Sequence, residues 1–600
     1  MKEISCGALR KSDVGKKITI AGWCHAIRDH KSTLFIDLRD WEGITQVVTK
    51  RDEINEQLNK KIKALNRESV IEVNGFVRNR PEGTENKNLP TGDIEVEIET
   101  LEILNTAQPL PYHFKDKKKA SLPVRLKYRY IDLRHPKLQE NLKTRARITS
   151  ETRKYMDKNG FYEIETPLLT KSTPEGARDY LVPSRVHKGK FYALPQSPQL
   201  FKQMLMVSGF EKYYQIAKCL RDEDLRPERQ PEFTQIDLEM SFVIQDDIIN
   251  IVEGLIRHLF KVILKKNIKT PFPRMPYKEA MSRFGVDKPD TRYGLELVEI
   301  TDLIPKDVLI FKQVFEQKHG IISAIKIDNK ADISNKAFNK WRAYVQKFKT
   351  KELANIKLVD GEFVSPLTKY LSEDVIKGIF KRLKAKEGDL VVIAGGKSSN
   401  VYRGLGELRI KLANDMNLIP KDKFNFLWVV DFPLFEWSED DKRWTAVHHP
   451  FTSCKPEFLD TFDKNPEDAL ANAYDIVLNG YEIGGGSIRI HNPEIQERVF
   501  KTLAIPPEIA EQNFSFLVEA LKYGAPPHGG LAIGLDRLVM IMVDEPGIRE
   551  VIAFPKTKMA VLPLGDAPSP VTEEQLADLG IELTPEVRLQ LEKKKENPHN

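Results

Sequence analysis

From Thr234 to Phe242 the chain alternates without a break. Gln235, Asp237, Glu239 and Ser241 fall on one side, and Ile236, Leu238, Met240 and Phe242 on the other. Period-two alternation predicts a strand with one apolar face against a core. The other face is unusual, because it carries acids and an amide where a solvent-facing strand mixes in Lys, Arg and Thr. A second short run precedes it, with Arg221 and Glu223 expected on one face. Between the two lies a charged loop holding Arg226, Pro227, Arg229 and Pro231. Two antiparallel strands with a basic loop and a polar face can hold a small polar molecule and a phosphate together. An amphipathic surface hairpin gives the same pattern.

Five further runs alternate near the N-terminus: residues 17–28, 33–40, 44–50, 69–79 and 93–104, with one helical stretch near Asp52 to Leu65. Five short strands and a single helix predict an OB-fold barrel, a common single-strand nucleic-acid module. A barrel of this size with no such role fits the pattern as well. Much later, Asn479-Gly480 sits between alternating apolar runs, which predicts a type I′ hairpin turn. Closing that turn pairs Leu478 with Tyr481 and Val477 with Glu482. Asp475 then becomes a diagonal neighbour of Glu482, and the two carboxylates can converge on one Mg²⁺. Glu482 and Arg489 have opposite parity, so Gly484-Gly485-Gly486 is where a bulge would reset the phase.

Composition narrows the class. Six hundred residues exceed one core, so several domains are expected. Apolar content of 41% and charged content of 30% fit a soluble globular protein. A net charge of +6 on so long a chain allows a nucleic-acid partner without demanding one. Cys6, Cys24, Cys219 and Cys454 lie far apart with no CxxC pair, which argues against zinc or a disulfide framework and fits a reducing cytoplasm. No leader-like h-region and no window of transmembrane length stand in the sequence.

RDEDLRPERQPEFTQIDLE, from Arg221 to Glu239, resembles motif 2 of the class II aminoacyl-tRNA synthetases, in the form of the bacterial aspartyl type. GFYEIETPLLTKSTPEGARDYLVPSR, from Gly160 to Arg185, resembles motif 1 with its substrate-covering loop. GGLAIGLDRLVM, from Gly529 to Met540, resembles motif 3. The likeness runs from Cys6 to about Lys556. It implies a multidomain α+β chain: an OB-fold anticodon-binding domain at 1–108, a hinge at 109–135, and a catalytic domain with an antiparallel sheet at 136–287 and 419–560. An inserted α/β domain of bacterial type occupies 288–418, and 561–600 is a charged C-terminal extension.

The resemblance implies ATP-dependent attachment of aspartate to tRNA through an aspartyl-adenylate, in a cytoplasmic homodimer with a motif 1 interface. Arg221 is the expected catalytic residue, since a guanidinium can bridge carboxylate and phosphate with paired hydrogen bonds. Glu175, Gln199, Lys202, Arg221, Asp237, His448 and Arg489 match the aspartate site, with Glu175 in a Pro/Gly loop suited to a lid. Arg221, Asp222, Glu223, Gln230, Phe233, Glu482 and Gly534, Leu535, Asp536, Arg537 match the ATP site, Phe233 and Arg537 on opposite faces of the adenine. Asp475 and Glu482 match the Mg²⁺ site. His449 and His491 are lone histidines nearby.

Arg28, Phe35, Gln46 and Asp93 match the anticodon contacts, with Phe35 as a stacking platform, although Phe35 also suits a core position in LFIDL. Members charging both tRNA(Asp) and tRNA(Asn) tend to carry His after the first strand and Gly in an RPEG-like loop, and here stand His30 and Gly83. A strictly discriminating enzyme charging tRNA(Asp) alone is the alternative, with His30 an ordinary loop residue and Gly83 a turn glycine. Ala26 and Ile27 depart from the pattern, standing where many relatives carry a longer basic run.

Overall fold

A computed structural model describes residues 2–30, 32–50, 56–114, 120–173 and 177–596, side chains being described as far as 593. Contacts divide the chain into two compact units, Met1–Glu140 with Leu562–Ala567, and Asn141–Val561 with Pro568–Asn600.

In the first unit, strands β1 (Lys17–Asp29), β2 (Thr33–Arg39), β3 (Ile44–Lys50), β4 (Val70–Asn79) and β5 (Ile94–Asn105) close a barrel in the order β1-β2-β3-β5-β4. The inward half of each alternation fills it: Ile20, Cys24, Ile36, Leu38, Val47, Val73 and Val96 are buried together. The OB-fold expected from the five runs is the fold observed, with strand ends matching within a residue or so. Of the expected helix, Glu56–Lys63 is helical and 51–55 lie outside the described residues. The unit does not stop at residue 108. Helices Leu122–Lys127 and Arg129–Asp132 belong to it, pinned by Asp132, which accepts from Arg125 and Arg129 in a buried cluster. Buried carboxylate–guanidinium pairs of this kind hold a segment that composition alone marks as a hinge.

In the second unit an eight-stranded sheet carries the chemistry. Its strands are β6 (Tyr162–Glu163), β7 (Lys212–Leu220), β8 (Glu232–Ser241), β9 (Arg274–Pro276), β10 (Phe426–Val430), β11 (Ala473–Leu478), β12 (Tyr481–Ile488) and β13 (His528–Gly534). They run β9-β10-β11-β12-β13-β8-β7-β6, antiparallel from β10 to β7. Ile236, Leu238 and Met240 pack with Trp428, Tyr474 and helix Gln245–Ile263 in one large core on one face. The alternation extended to Phe242, but the strand ends at Ser241. Phe242 turns with φ +58° and is 70% exposed, because the chain must leave the sheet there to enter the helix.

Between β9 and β10 stands a separate antiparallel sheet of five strands, ordered Leu297–Glu299, Gly320–Ile327, Leu390–Lys397, Ala354–Val359, Glu362–Val364. It has an apolar cluster of its own on each face: Ile322, Val391 and Ile393 serve one, Ile325, Leu390 and Val392 the other. Strands buried on both faces read as continuous apolar runs, as VVIA does. No helix among the described residues is long and apolar enough to cross a membrane.

Candidate active site

The antiparallel pair β7–β8 registers Cys219 with Phe233 and Leu220 with Glu232. The first strand therefore stops before Arg221, and Arg221 and Glu223 belong to the connecting loop rather than to a strand face. Both still reach one cavity of about 490 Å³ above the sheet. Arg221 is held at its backbone, donating to the Pro231 carbonyl at 2.8 Å, while its guanidinium lies 5.2 Å over the Phe233 ring. Glu223 accepts from Arg229 at 2.9 Å, so this wall of the cavity is a pre-paired charged loop.

The floor is the polar face of β8 and β12. Lys202 enters from helix Gln199–Val207, donates to Asp237 Oδ1 at 2.7 Å, and lies 3.1 Å from Glu239. Arg489 grips Glu239 with two donors, Nε at 2.8 Å and Nη2 at 3.1 Å, and gives Nη1 to His449 Nε2 and Ser487 Oγ, both at 2.7 Å. All four charged groups are buried. Desolvation raises a buried carboxylate and nearby cations lower it. For Glu239 burial opposes ionisation, but Arg489 and Lys202 win and hold its pKa down at about 2. For Asp237 burial wins over Lys202 and the pKa is raised. Burial and the adjacent Arg489 keep His449 far below its ordinary value, consistent with a neutral ring accepting from the guanidinium.

Glu239 belongs to the alternating polar face and yet carried no expected role; a buried carboxylate gripped by two cations emerges only from the three-dimensional neighbours. Gly530 on the adjacent strand makes room for it, because a Cβ there would collide with the Glu239 carboxylate. Ser487, His449, Gln235 and Asp287 also border this region, and Asp287 had no sequence signal at all.

The far wall is the hairpin β11–β12. Asn479 and Gly480 both have positive φ, +55° and +83°, and the pairs Leu478–Tyr481 and Val477–Glu482 form as the I′ turn requires. A register shift then makes Ile476 pair with Gly484 and Asp475 with Gly485, so the bulge falls at Ile483, just before the glycines. This bulge brings Glu482 and Arg489 to one cavity despite their opposite parity. A Cβ built on Gly485 would stand 2.6 Å from Asp475 Oδ1 and 3.9 Å from Glu482 Oε1. Two carboxylates thus converge over bare backbone. Burial, with Glu482 and Asp287 adding repulsion against the pull of His448, raises Asp475 to about 6. Two hard oxygen donors converging over the Gly485 backbone suit Mg²⁺, which takes few protein ligands and completes its shell elsewhere. Among the described residues no cluster of three or more His, Cys, Asp or Glu offers a closed metal cage.

The remaining expected residues divide. Gln199 is buried with Nε2 unpartnered. His448 lies against Asp475 at 3.3 Å, beside the paired carboxylates, with Nδ1 unpartnered. Gln230 is clasped to the Lys556 backbone in both directions, at 3.2 and 2.7 Å. Gly534 and Arg537 line the cavity, and Arg537, in the first turn of helix Leu535–Met542, donates to the Glu482 carbonyl. Asp536 also borders it, but its carboxylate is occupied with the Thr234 amide at 2.7 Å and with Arg145. Leu535 points its side chain into the core and has only backbone to offer. Asp222 is exposed and off the cavity wall, its backbone bridged to Arg178. Glu175 lies outside the described residues. Five buried polar atoms without a protein partner, Gln199 Nε2, Arg221 Nε, Asp237 Oδ2, His448 Nδ1 and Arg537 Nε, belong to residues lining this one cavity. Buried groups of this kind cost stability unless a ligand satisfies them.

On the barrel, Phe35 is off the core: Leu34, Ile36 and Leu38 are buried while Phe35 is half-exposed, opposite Arg28 in the β1–β2 register. Arg28 is bidentate to Asp37 at 2.7 Å and reaches Gln46 at 3.1 Å, and Gln46 donates to Glu95 at 2.7 Å. His30 meets Phe35 edge-on at 5.8 Å between ring centroids and closes the β1–β2 turn through its backbone with Thr33. Gly83 has φ +83° in a turn closed by Thr84 N to Pro81 O, the third-position glycine of a type II turn. Asp93 is exposed at the foot of β5.

This geometry has known counterparts. Residues 121–558 match the family of tRNA synthetases class II (D, K and N), and residues 18–104 the OB-fold nucleic acid binding domain. The chain belongs to the class II tRNA synthetases of the D, K and N group. It is 52% identical over 597 residues to the Aspartate--tRNA(Asp/Asn) ligase of Hydrogenobaculum sp. (strain Y04AAS1), covering 97% of this chain and 100% of that one. It is 50% identical over 579 residues to the ligase of the same name from Caldanaerobacter subterraneus subsp. tengcongensis, covering 96% and 98%. Among solved structures, the asparaginyl-tRNA synthetase from Pyrococcus horikoshii complexed with asparaginyl-adenylate superposes with a TM-score of 0.59 at 20% identity, over 93% of this chain and 98% of that one.

Proposed function

We propose that the protein joins L-aspartate to tRNA(Asp) and to tRNA(Asn) at the expense of ATP, through an aspartyl-adenylate. The observation that carries the catalytic half is the set of unpartnered buried donors and acceptors around a cavity that also holds Lys202, Arg489 and the Asp475–Glu482 pair. The wider tRNA range is supported by the shared name of the two relatives and by His30 on the barrel face.

In the first step the aspartate α-carboxylate attacks the α-phosphorus of ATP and pyrophosphate leaves. Arg221 holds both anions, its free Nε directed to one of them. Arg489 and Lys202 take the side-chain carboxylate, while Asp237 Oδ2, Gln199 and Glu175 surround the ammonium. His448 adds a donor from the Asp475 side. Phe233 and Arg537 sandwich the adenine, Glu223 and the backbone at Gln230 and Gly534 border it, and Asp536 fixes the helix start that presents Arg537. Asp475 and Glu482 hold Mg²⁺, which neutralises phosphate charge when bound. In the second step a ribose hydroxyl at the tRNA terminus attacks the acyl carbon and AMP leaves.

The anticodon lies on the Phe35 face, where an unpaired base stacks and Arg28, Gln46 and Asp93 offer polar contacts. The chain acts as a cytoplasmic homodimer through the Gly160–Thr170 segment. Aspartate-dependent exchange of pyrophosphate into ATP, absent with asparagine or lysine, tests the first step. Light scattering at micromolar concentration tests the dimer, and a monomeric mass would contradict it.

A further inference from the structure

Positive charge is not spread evenly along this chain. Residues 288–418 hold 24 Lys and Arg against 17 Asp and Glu, an excess of seven, while the whole chain carries only +6. The barrel segment 1–108 holds 17 against 18. The excess has a centre. Residues 333–351 contain six basic residues and no acid.

Helix Asn335–Gln346 occupies most of that stretch, capped by Ser334, whose Oγ accepts from the Ala337 amide at 3.2 Å. Phe338 and Val345 bury its inner face. At 3.6 residues per turn, Lys336, Lys340 and Lys347 fall on the opposite side, in one stripe next to Tyr344. The chain continues as Lys349 and Lys351, and all five lysines are exposed. Among the described residues none of the five forms an ion pair, whereas lysines elsewhere in the same insertion do. Lys377 reaches Glu373 at 2.7 Å and Lys411 reaches Asp415 at 2.7 Å.

Two half-buried rings sit in this charge. Tyr344 and Phe348 meet edge-on at 5.4 Å. Lys347 and Lys411 lie 5.9 and 5.7 Å from the Tyr344 ring, and the exposed Arg403 lies 5.8 Å from Phe348. Acids next to the patch are the exposed Glu352, which follows Lys351, Glu407 beside the Tyr344 hydroxyl, and Asp415, already engaged by Lys411. Unpaired lysines around flat rings, with no acid in the stripe, match what a phosphate backbone with accessible bases or riboses requires.

We propose that this face of the insertion is a second RNA-binding surface, gripping phosphates of the tRNA that the barrel recognises at its anticodon. The proposal rests on the tRNA half of the proposed function. The full-length protein with Lys336→Gln, Lys340→Gln, Lys347→Gln and Lys349→Gln is compared with a control of equal charge loss on exposed lysines elsewhere in the insertion: Lys306→Gln, Lys369→Gln, Lys381→Gln and Lys386→Gln.

Dissociation constants for a tRNA(Asp) transcript are measured from about 50 to 200 mM salt. The patch variant is expected to flatten the slope of log K against log salt by about three, at roughly 0.7–0.9 per lost phosphate contact. The control is expected to follow wild type, and aspartate-dependent pyrophosphate exchange to stay unchanged in both. Equal effects of patch and control variants, or a patch variant that binds tRNA as wild type does, overturn the proposal and leave the function standing. Loss of binding to phosphatidylserine vesicles with tRNA binding intact would overturn it in favour of a lipid surface. Wild type that exchanges pyrophosphate and binds no tRNA would remove the reading on which it rests.

Discussion

Two buried carboxylates, one in each compact unit, are built alike and serve different ends. In the first unit Glu68 accepts both donors of Arg39, at 2.8 and 2.7 Å, and one of Arg134 at 2.8 Å. Arg39 also meets His25 at 2.7 Å and stacks over Trp23 and Phe114. In the second unit Glu239 is gripped by Arg489 and approached by Lys202. Burial works against both charges, and the surrounding cations overcome it in both, holding each pKa at about 2.

The difference lies in what the cations have left over. Around Glu68 the cluster closes on itself, with Arg39 and Arg134 on the carboxylate, His25 on Arg39, and the Trp23 and Phe114 rings beside the Arg39 guanidinium. Around Glu239 the same cations line an open cavity, and Asp237 Oδ2 beside them has no partner. A closed ionic cluster fixes a fold; one left open at a cavity selects a ligand.

The largest expected effect breaks the open side. Arg221→Lys keeps the charge but loses the paired donors, and aspartate-dependent pyrophosphate exchange should fall by about 10²–10³ with the far-UV spectrum unchanged. Near-normal exchange would remove Arg221 from the centre of the account.

Glu239→Gln comes next. It leaves Arg489 and Lys202 buried with half their compensation, and removing one partner of a buried pair costs about 3–5 kcal/mol. The expected outcome is a lower melting temperature and a raised KM for aspartate, with ATP affinity little changed. Equal losses for ATP and aspartate would show general collapse rather than lost positioning.

Glu68 sharpens the closed side. Its folded pKa is depressed from 4.5 to about 2, so its contribution is present above the unfolded value and is lost as pH falls through the folded one. That depression is worth about 3 kcal/mol, lost between roughly pH 4.5 and 2. Wild type should therefore lose stability over that window faster than Glu68→Gln, measured by denaturant unfolding at each pH. Parallel curves would contradict the assignment.

The smallest effect concerns recognition of the tRNA. His30→Leu should lower charging of tRNA(Asn) relative to tRNA(Asp) by about ten- to a hundredfold, the value of one discriminating base contact. Pyrophosphate exchange should not move, because His30 stands in the β1–β2 turn of the barrel and lines no part of the cavity.

Much of this was legible in the sequence where local period and turn chemistry decide. The five barrel strands follow from alternation, and the β11–β12 hairpin from Asn479-Gly480, whose positive φ values few other residue pairs accept. The parity conflict between Glu482 and Arg489 called for a bulge and pointed to the three glycines, whereas it falls one residue earlier, at Ile483. Three things were hidden. Phe242 obeyed the alternation and left the strand, because helix entry overrides pattern. Asp536 and Leu535 matched a motif whose side chains turn out to brace the fold, since a motif records positions and not which atoms point outward. Glu239 stood in plain view on the polar face, but its role depends on Arg489, 250 residues away.

On the proposed function, the open cluster chooses aspartate while the barrel admits two tRNAs. The most direct measurement is aminoacylation of tRNA(Asp) and tRNA(Asn) transcripts side by side, each with labelled aspartate and with labelled asparagine. Aspartate is expected on both tRNAs and asparagine on neither. Asparagine on either tRNA, or tRNA(Asn) left uncharged under conditions that saturate tRNA(Asp), would contradict it.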